Sequence, residues 1–165
     1  MSNTSHRSVR YLCRAAVIAA LYVVLTWLAH LFGLDSGAIQ IRFSEALCVL
    51  PMFTSAAIPG LGIGCLLANL LMGNLPTDIL FGSLATLLGA IGTYLLRKRS
   101  PYLAVWPPIL ANTLIIPFVL KYAYEIEGAI PYFMLTVGLG ELLSVGLLGT
   151  LLHYRLKDVP RLLQE

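Results

Sequence analysis

The chain has 165 residues, 58% of them hydrophobic and only 12% charged, with a formal net charge of +3. So little polar surface excludes a water-exposed globule of this size and leaves no room for a separate soluble domain. The small net charge gives no electrostatic case for nucleic acid as a partner.

Asp, Glu, Lys and Arg are absent from residues 15–34, 46–77, 79–96 and 100–120, and 128–154 contains only Glu141. A helix needs about 20 apolar residues to cross a bilayer core. These runs therefore predict an all-α integral membrane protein. The first span is predicted over 15–32. Arg7, Arg10 and Arg14 precede it, but the apolar run is too long for a secretory h-region and no clean small-x-small site follows. Residues 46–77 are too long for one helix and carry Thr54-Ser55-Ala56-Ala57-Ile58-Pro59-Gly60 at their middle, a break signal. They divide into short helices over 44–57 and 60–73. Further spans are predicted over 77–96, 102–120 and 131–154.

The basic residues test this division. With six spans, Arg7, Arg10, Arg14, the Arg97-Lys98-Arg99 cluster, Arg155, Lys157 and Arg161 all lie on one side. The other side holds Asp35, Arg42, Glu45, Asp78, Lys121, Glu125 and Glu127, with acids in excess. A single span over 46–77 would throw the 97–99 cluster outside. The expectation is a six-transmembrane-helix bundle with N- and C-termini cytoplasmic: a basic N-terminal segment 1–14, a membrane domain 15–154 and a cytoplasmic tail 155–165. The two middle helices are short, so they are tilted, re-entrant or shielded by neighbours.

Small residues recur at helical spacing, as at Ala15/Ala19, Ala16/Ala20 and Gly60/Gly64, where helices can approach closely in lipid. Cys13, Cys48 and Cys65 read as small buried apolar residues, with neither a disulfide framework nor metal spacing. Gly60-Leu61-Gly62-Ile63-Gly64 is not a nucleotide loop, since no Lys-Ser/Thr follows. No Walker A sequence, metal site or cofactor is read from the chain.

The polar residues left within the apolar sequence collect toward the outer half. They are Arg42 and Glu45 at the outer end of the second span, Asn69 and Asn74 near the outer end of the third, Asp78 at the start of the fourth and Asn112 in the fifth. Glu141 lies about ten residues into the sixth, near mid-depth at about 1.5 Å per residue. Each has a plainer alternative. Arg42 and Glu45 are spaced for a helix-surface ion pair, Asp78 for an N-terminal cap, and Asn69 and Asn112 for interhelical hydrogen bonding. His30 and His153 fall at span ends and mark interfaces. Glu141 differs, because a mid-span carboxylate is costly unless it works. Acids and amides with few cations suit a ligand rich in N–H donors or positively charged, not a phosphate. Phe43, Phe81, Phe118 and Tyr122 either stack on a flat ring or form an aromatic belt.

The stretch Ile39-Gln40-Ile41-Arg42-Phe43-Ser44-Glu45-Ala46-Leu47, then Ala68-Asn69, then Asp78-Ile79-Leu80-Phe81-Gly82-Ser83-Leu84-Ala85-Thr86-Leu87 resembles the QueT family. Pro107-Pro108-Ile109-Leu110-Ala111-Asn112 and Gly138-Leu139-Gly140-Glu141-Leu142 continue the resemblance in order. It covers nearly the whole chain from the first span onward. It implies a substrate-binding S-component of an energy-coupling-factor (ECF) transporter in a bacterial cytoplasmic membrane. Such a protein captures its substrate on the outer face, and a transmembrane scaffold with two ABC-type ATPases drives uptake. The substrates implied are queuosine precursors, 7-deazaguanines such as the 7-cyano and 7-aminomethyl compounds. Small residues on the first span meet the scaffold in such proteins, which maps onto Ala15, Ala16, Ala19 and Ala20.

A guanine-like face offers a ring N–H beside an exocyclic NH2, a donor pair one carboxylate can accept. An aminomethyl cation would use a second. The resemblance and the polar pattern together assign these tasks to Glu141 and Glu45, with Arg42, Asn69, Asp78 and Asn112 completing the set. The loop 33–41, pivoting at Gly33 and Gly37, would close the outer mouth. Rival readings are a carrier for another vitamin-like molecule, an intramembrane enzyme using Glu141 and Asp78 as acid and base, and a purely structural subunit.

Overall fold

The computed structural model describes residues 2–34 and 40–158, and every regular element among them is helical. Helix α1 (Ser2–Leu31) is continuous. Arg7, Arg10 and Arg14 ride on the early turns of α1, which no Gly or Pro interrupts. The helix stops where Gly33 takes φ +66°. The Gly33 N–H donates to the His30 carbonyl (2.9 Å) and the Leu34 N–H to that of Ala29 (3.0 Å), a Schellman ending that only Gly adopts without strain. Gly33 is thus a helix stop, while Gly37 and most of the expected lid lie outside the described residues.

A 3-10 helix follows over Phe43–Met52, then a turn at 53–56, then α2 (Ala57–Leu71). The break in the long apolar run lies ahead of Pro59-Gly60, not on them. Pro59 occupies the first turn of α2, where its missing N–H has no intrahelical partner to lose. Helix α3 (Pro76–Leu96) also opens on a proline. A short α4 (Pro101–Ala104) leads into α5 (Trp106–Tyr122). The last helical stretch is α6 (Ile130–Glu141), a π-helical segment over Leu142–Gly149, and α7 (Thr150–Leu156).

Among the described residues, four stretches are long and apolar enough to cross a membrane: His6–Leu31, Pro76–Leu96, Pro101–Tyr122 and Ile130–Leu156. The 3-10 helix has 10 residues and α2 has 15, so they reach about 20 and 22 Å against a hydrocarbon core of about 30 Å. The long helices turn Leu80, Leu95, Leu114 and Leu147 outward, as expected where the outer solvent is lipid. Phe81, Phe118 and Tyr122 are also outward, on an apolar groove of about 590 Å³. That placement fits the belt and not a ring-stacking role. Cys48 and Cys65 are buried as expected, but Cys13 is exposed, because its face of α1 has no helix packed on it.

Neighbouring elements pack in the order α1, α2, α3, α5, α6, and the 3-10 helix touches α1, α3 and the π segment. Small residues set the closest approaches. A β-carbon at Gly60 would lie 2.8 Å from the Ala15 carbonyl oxygen, and one at Gly64 would lie 3.0 Å from Ala19 Cα. The Ala15/Ala19 face of α1 is thereby used against α2, while Ala16 and Ala20 are exposed. The 3-10 and π segments lie against each other through Val49, Ala46 and Gly149. Tyr22, Leu61, Cys65, Val49 and Val145 form the apolar core beneath the polar residues.

Candidate ligand-binding site

Two helix ends assemble the outer part of the site. At the end of α2, Gly73 takes φ +72°, and Gly73 N–H and Asn74 N–H close back on the Leu70 and Asn69 carbonyls at 3.2 and 3.1 Å. This second Schellman turn returns the chain so that Asn74 Nδ2 donates to Asn69 Oδ1 at 3.0 Å. The two amides face the start of α3. There Asp78 lies in the first turn, but the helix has no side-chain cap. Its carboxylate is used elsewhere: Oδ2 accepts a hydrogen bond from the Tyr124 hydroxyl at 2.9 Å, and the same oxygen of Tyr124 accepts from the Leu75 N–H at 3.4 Å. Burial, then the neighbouring Asp78 carboxylate, raises the Tyr124 phenol above its ordinary range. Gly82, one turn after Asp78, makes room for both groups. A β-carbon there would meet Asn69 Nδ2 at 3.2 Å and Asp78 Oδ1 at 3.5 Å.

Asn69, Asn74, Asp78 and Tyr124 line a cavity of about 220 Å³ together with Thr26, His30, Gln40 and Arg42, with Ile116 and Leu120 among its apolar walls. Arg42 is positioned by the chain just before the 3-10 helix, where its N–H donates to Ser144 Oγ of the π segment at 3.1 Å. Beyond Arg42 lies a second, narrow cavity of about 20 Å³ lined by Gln40, Arg42, Asn112, Ile116, Val137 and Glu141. Gln40, Arg42 and Ile116 line both, so the narrow space adjoins the larger one. Asn112 Nδ2 and Glu141 Oε2 are buried here without a hydrogen-bond partner. Pro117 in α5 removes the usual helical donor to the Thr113 carbonyl beside Asn112. Glu141 sits where α6 passes into the π segment, a kind of irregularity that recurs at functional sites.

The structure therefore brings Arg42, Asn69, Asp78, Asn112 and Glu141 to adjoining cavities. Glu45 is different. It is buried in the core, where Oε1 accepts from the Tyr22 hydroxyl and Oε2 from the Cys48 thiol at 3.1 Å, and it lines neither cavity. Nor is it a surface ion pair with Arg42. Thr26 and Ser44, hydrogen bonded at 2.8 Å, close the polar layer above it. Sequence reasoning left Gln40 and Thr26 out of the site. Gln40 lies in no helix and Thr26 sits mid-helix in an apolar run; only the amide of Gln40, four residues before a predicted span, was a signal.

The arrangement presents one guanidinium between carboxylates on either side, with three asparagine amides and apolar walls. A site of this kind reads the edges of a small polar molecule and has no nucleophile–base pair. Among the described residues no group of His, Cys, Asp or Glu has metal-binding geometry.

A family model described as "QueT transporter" matches residues 12–158. The queuosine precursor transporter QueT of Lactococcus lactis subsp. cremoris strain MG1363 is 39% identical over 72 residues, 44% of this chain and 42% of the relative. The alignment thus spans less than half of that relative's length. No solved structure matches the chain. The family match takes in every cavity-lining polar residue named above, and it is a match to transporters, which removes the reading of Glu141 and Asp78 as an enzymic acid and base. With its long apolar helices and polar cavity, this membrane protein belongs to the QueT transporter family.

Proposed function

We propose that this protein is the substrate-binding S-component of an ECF transporter, taking a 7-deazaguanine queuosine precursor from the outer face of a bacterial cytoplasmic membrane. The observation that carries the reading is the convergence of Arg42, Asn69, Asp78, Asn112 and Glu141 on adjoining cavities inside an apolar bundle. Drug-sized ligands occupy pockets of about 300–1,000 Å³, so a main cavity of about 220 Å³ suits a bicyclic heterocycle. The name of the Lactococcus relative supports the substrate class.

On this reading 15–154 is the substrate-binding domain, both short apolar helices count as spans, and both termini are cytoplasmic. Glu45 stays behind the ligand, fixing the 3-10 helix that Arg42 immediately precedes. A separate scaffold with two ABC-type ATPases supplies the energy. Ala16 and Ala20, exposed on α1, meet that scaffold, whereas Ala15 and Ala19 are engaged by α2.

Equilibrium binding of 7-cyano- and 7-aminomethyl-7-deazaguanine to the purified protein in detergent tests the reading. Saturable binding of at least one compound, weakened by Glu141→Gln, supports it. Well-folded protein that binds neither compound sinks the substrate assignment.

A further inference from the structure

Asn112 Nδ2 and Glu141 Oε2 are a donor and an acceptor left unpaired side by side, on residues only 4% and 8% exposed. Leaving such groups unpaired in a bundle core is costly. The narrow cavity between them holds about 20 Å³, enough for one water or for the rim of a ring entering from the larger cavity. A donor beside an acceptor is complementary to a ring C=O beside a ring N–H. That is the lactam edge of a guanine-type base. Arg42 lines both cavities and adds a further donor where they adjoin.

Asp78 lines the larger cavity and Glu141 the narrow one, and Arg42 lines both. Tyr124 engages its Oδ2, and Oδ1 is the oxygen turned toward Gly82 and Asn69. In a 7-deazaguanine the substituent at position 7 projects from the carbonyl side of the ring. A ligand whose lactam edge meets Asn112 and Glu141 therefore directs that substituent past Arg42 toward Asp78.

We propose that the site reads its ligand at two separate points: Asn112 and Glu141 recognise the lactam edge, and Asp78 selects the substituent, favouring a cationic aminomethyl group over a neutral nitrile. This rests on the 7-deazaguanine reading and assigns the parts of the molecule within it. Glu45, held by Tyr22 and Cys48, takes no direct part.

The test measures affinities of the 7-aminomethyl and 7-cyano compounds for the full chain and for Asp78→Asn and Glu141→Gln, with monodispersity and helicity confirming fold. The full chain should prefer the amine by about tenfold or more, the scale of a charge-assisted hydrogen bond. Asp78→Asn should cut the amine-to-nitrile ratio about tenfold. Glu141→Gln should weaken both 7-deazaguanines while keeping their ratio. An unchanged ratio in Asp78→Asn, or unchanged affinities in Glu141→Gln (the orphan pair merely bridged by water), overturns the assignment while the substrate class stands. Failure of both 7-deazaguanines to bind the folded full chain overturns the parent reading, and this one with it.

Discussion

Gly140 backs directly onto the main-chain carbonyl of Gln40, so closely that a β-carbon at 140 would collide with the Gln40 oxygen. The contact joins α6 to the segment that carries Gln40 and Arg42 into both cavities. Gly140→Ala must push that segment away, and backbone cannot yield as a flexible side chain would. We expect Gly140→Ala to destabilise the protein by about 1–3 kcal/mol and to weaken ligand binding. Gly138→Ala is the control: its β-carbon would rest at 3.4–3.5 Å from Thr113, an ordinary contact, and should leave the thermal midpoint in detergent unlowered. Equal effects of the two changes would remove the significance of the Gly140 contact.

Tyr22 is the partner that makes the buried Glu45 tolerable. Tyr22→Phe keeps the ring but leaves one carboxylate oxygen unpaired in the core, which costs about 1–3 kcal/mol. The expected result is a lower unfolding midpoint with ligand affinity little changed in the protein that remains folded. A large loss of affinity with stability intact would instead place Glu45 at the ligand.

The two small-residue faces of α1 should separate by experiment. Gly64→Val on α2 drives a side chain into Ala19 and Tyr22 and should cost about 1–3 kcal/mol through overpacking. Ala16→Leu and Ala20→Leu alter an exposed face, so stability and ligand binding should be kept while ATP-dependent uptake in cells falls sharply. Normal uptake in the double variant would exclude this face as the scaffold contact.

Tyr124 gives a pH dependence with a defined sign. Its folded value lies above the ordinary phenol value of about 10 because of burial and then Asp78. The stability it contributes is present below about pH 10 and is lost as pH rises through the higher folded value. Tyr124 is only partly buried, so solvent screening keeps the effect below about 1 kcal/mol. The gap in thermal midpoint between the unaltered protein and Tyr124→Phe should hold from pH 7 to pH 9 and shrink above about pH 10. A gap that widens at high pH would reverse the assignment.

The long helices were legible because lipid imposes a simple rule on composition: charge-free runs of sufficient length become helices, and 76–96 and 101–122 follow it closely. The same reasoning marked Asp78, Asn69, Asn112 and Glu141 as out of place in apolar sequence, and these do line the cavities. It gave no sign of the Tyr22 and Cys48 contacts of Glu45, because a carboxylate facing a ligand and one held by its neighbours look alike in one dimension. It also gave no sign of the 3-10 and π segments. Residues 43–52 and 142–149 have ordinary helical composition. Their hydrogen-bond pattern is read only where they meet, at Val49, Ala46 and Gly149, a contact between residues about a hundred positions apart in the chain. The break at 53–56 was placed late because Pro59 is a breaker inside a helix but acceptable in its first turn.

The wide turns after Glu141 have an evolutionary consequence. A π turn pairs residues five apart where an α turn pairs residues four apart, so it behaves as an α-helix with a spare residue absorbed. The faces of α6 and α7 are therefore not locked to one phase. A one-residue deletion or insertion within 142–149 rotates the end carrying Arg155 and Lys157 while Glu141 keeps facing Asn112. A change of one residue there can thus refit that basic end to a different neighbour without displacing Asn112 and Glu141.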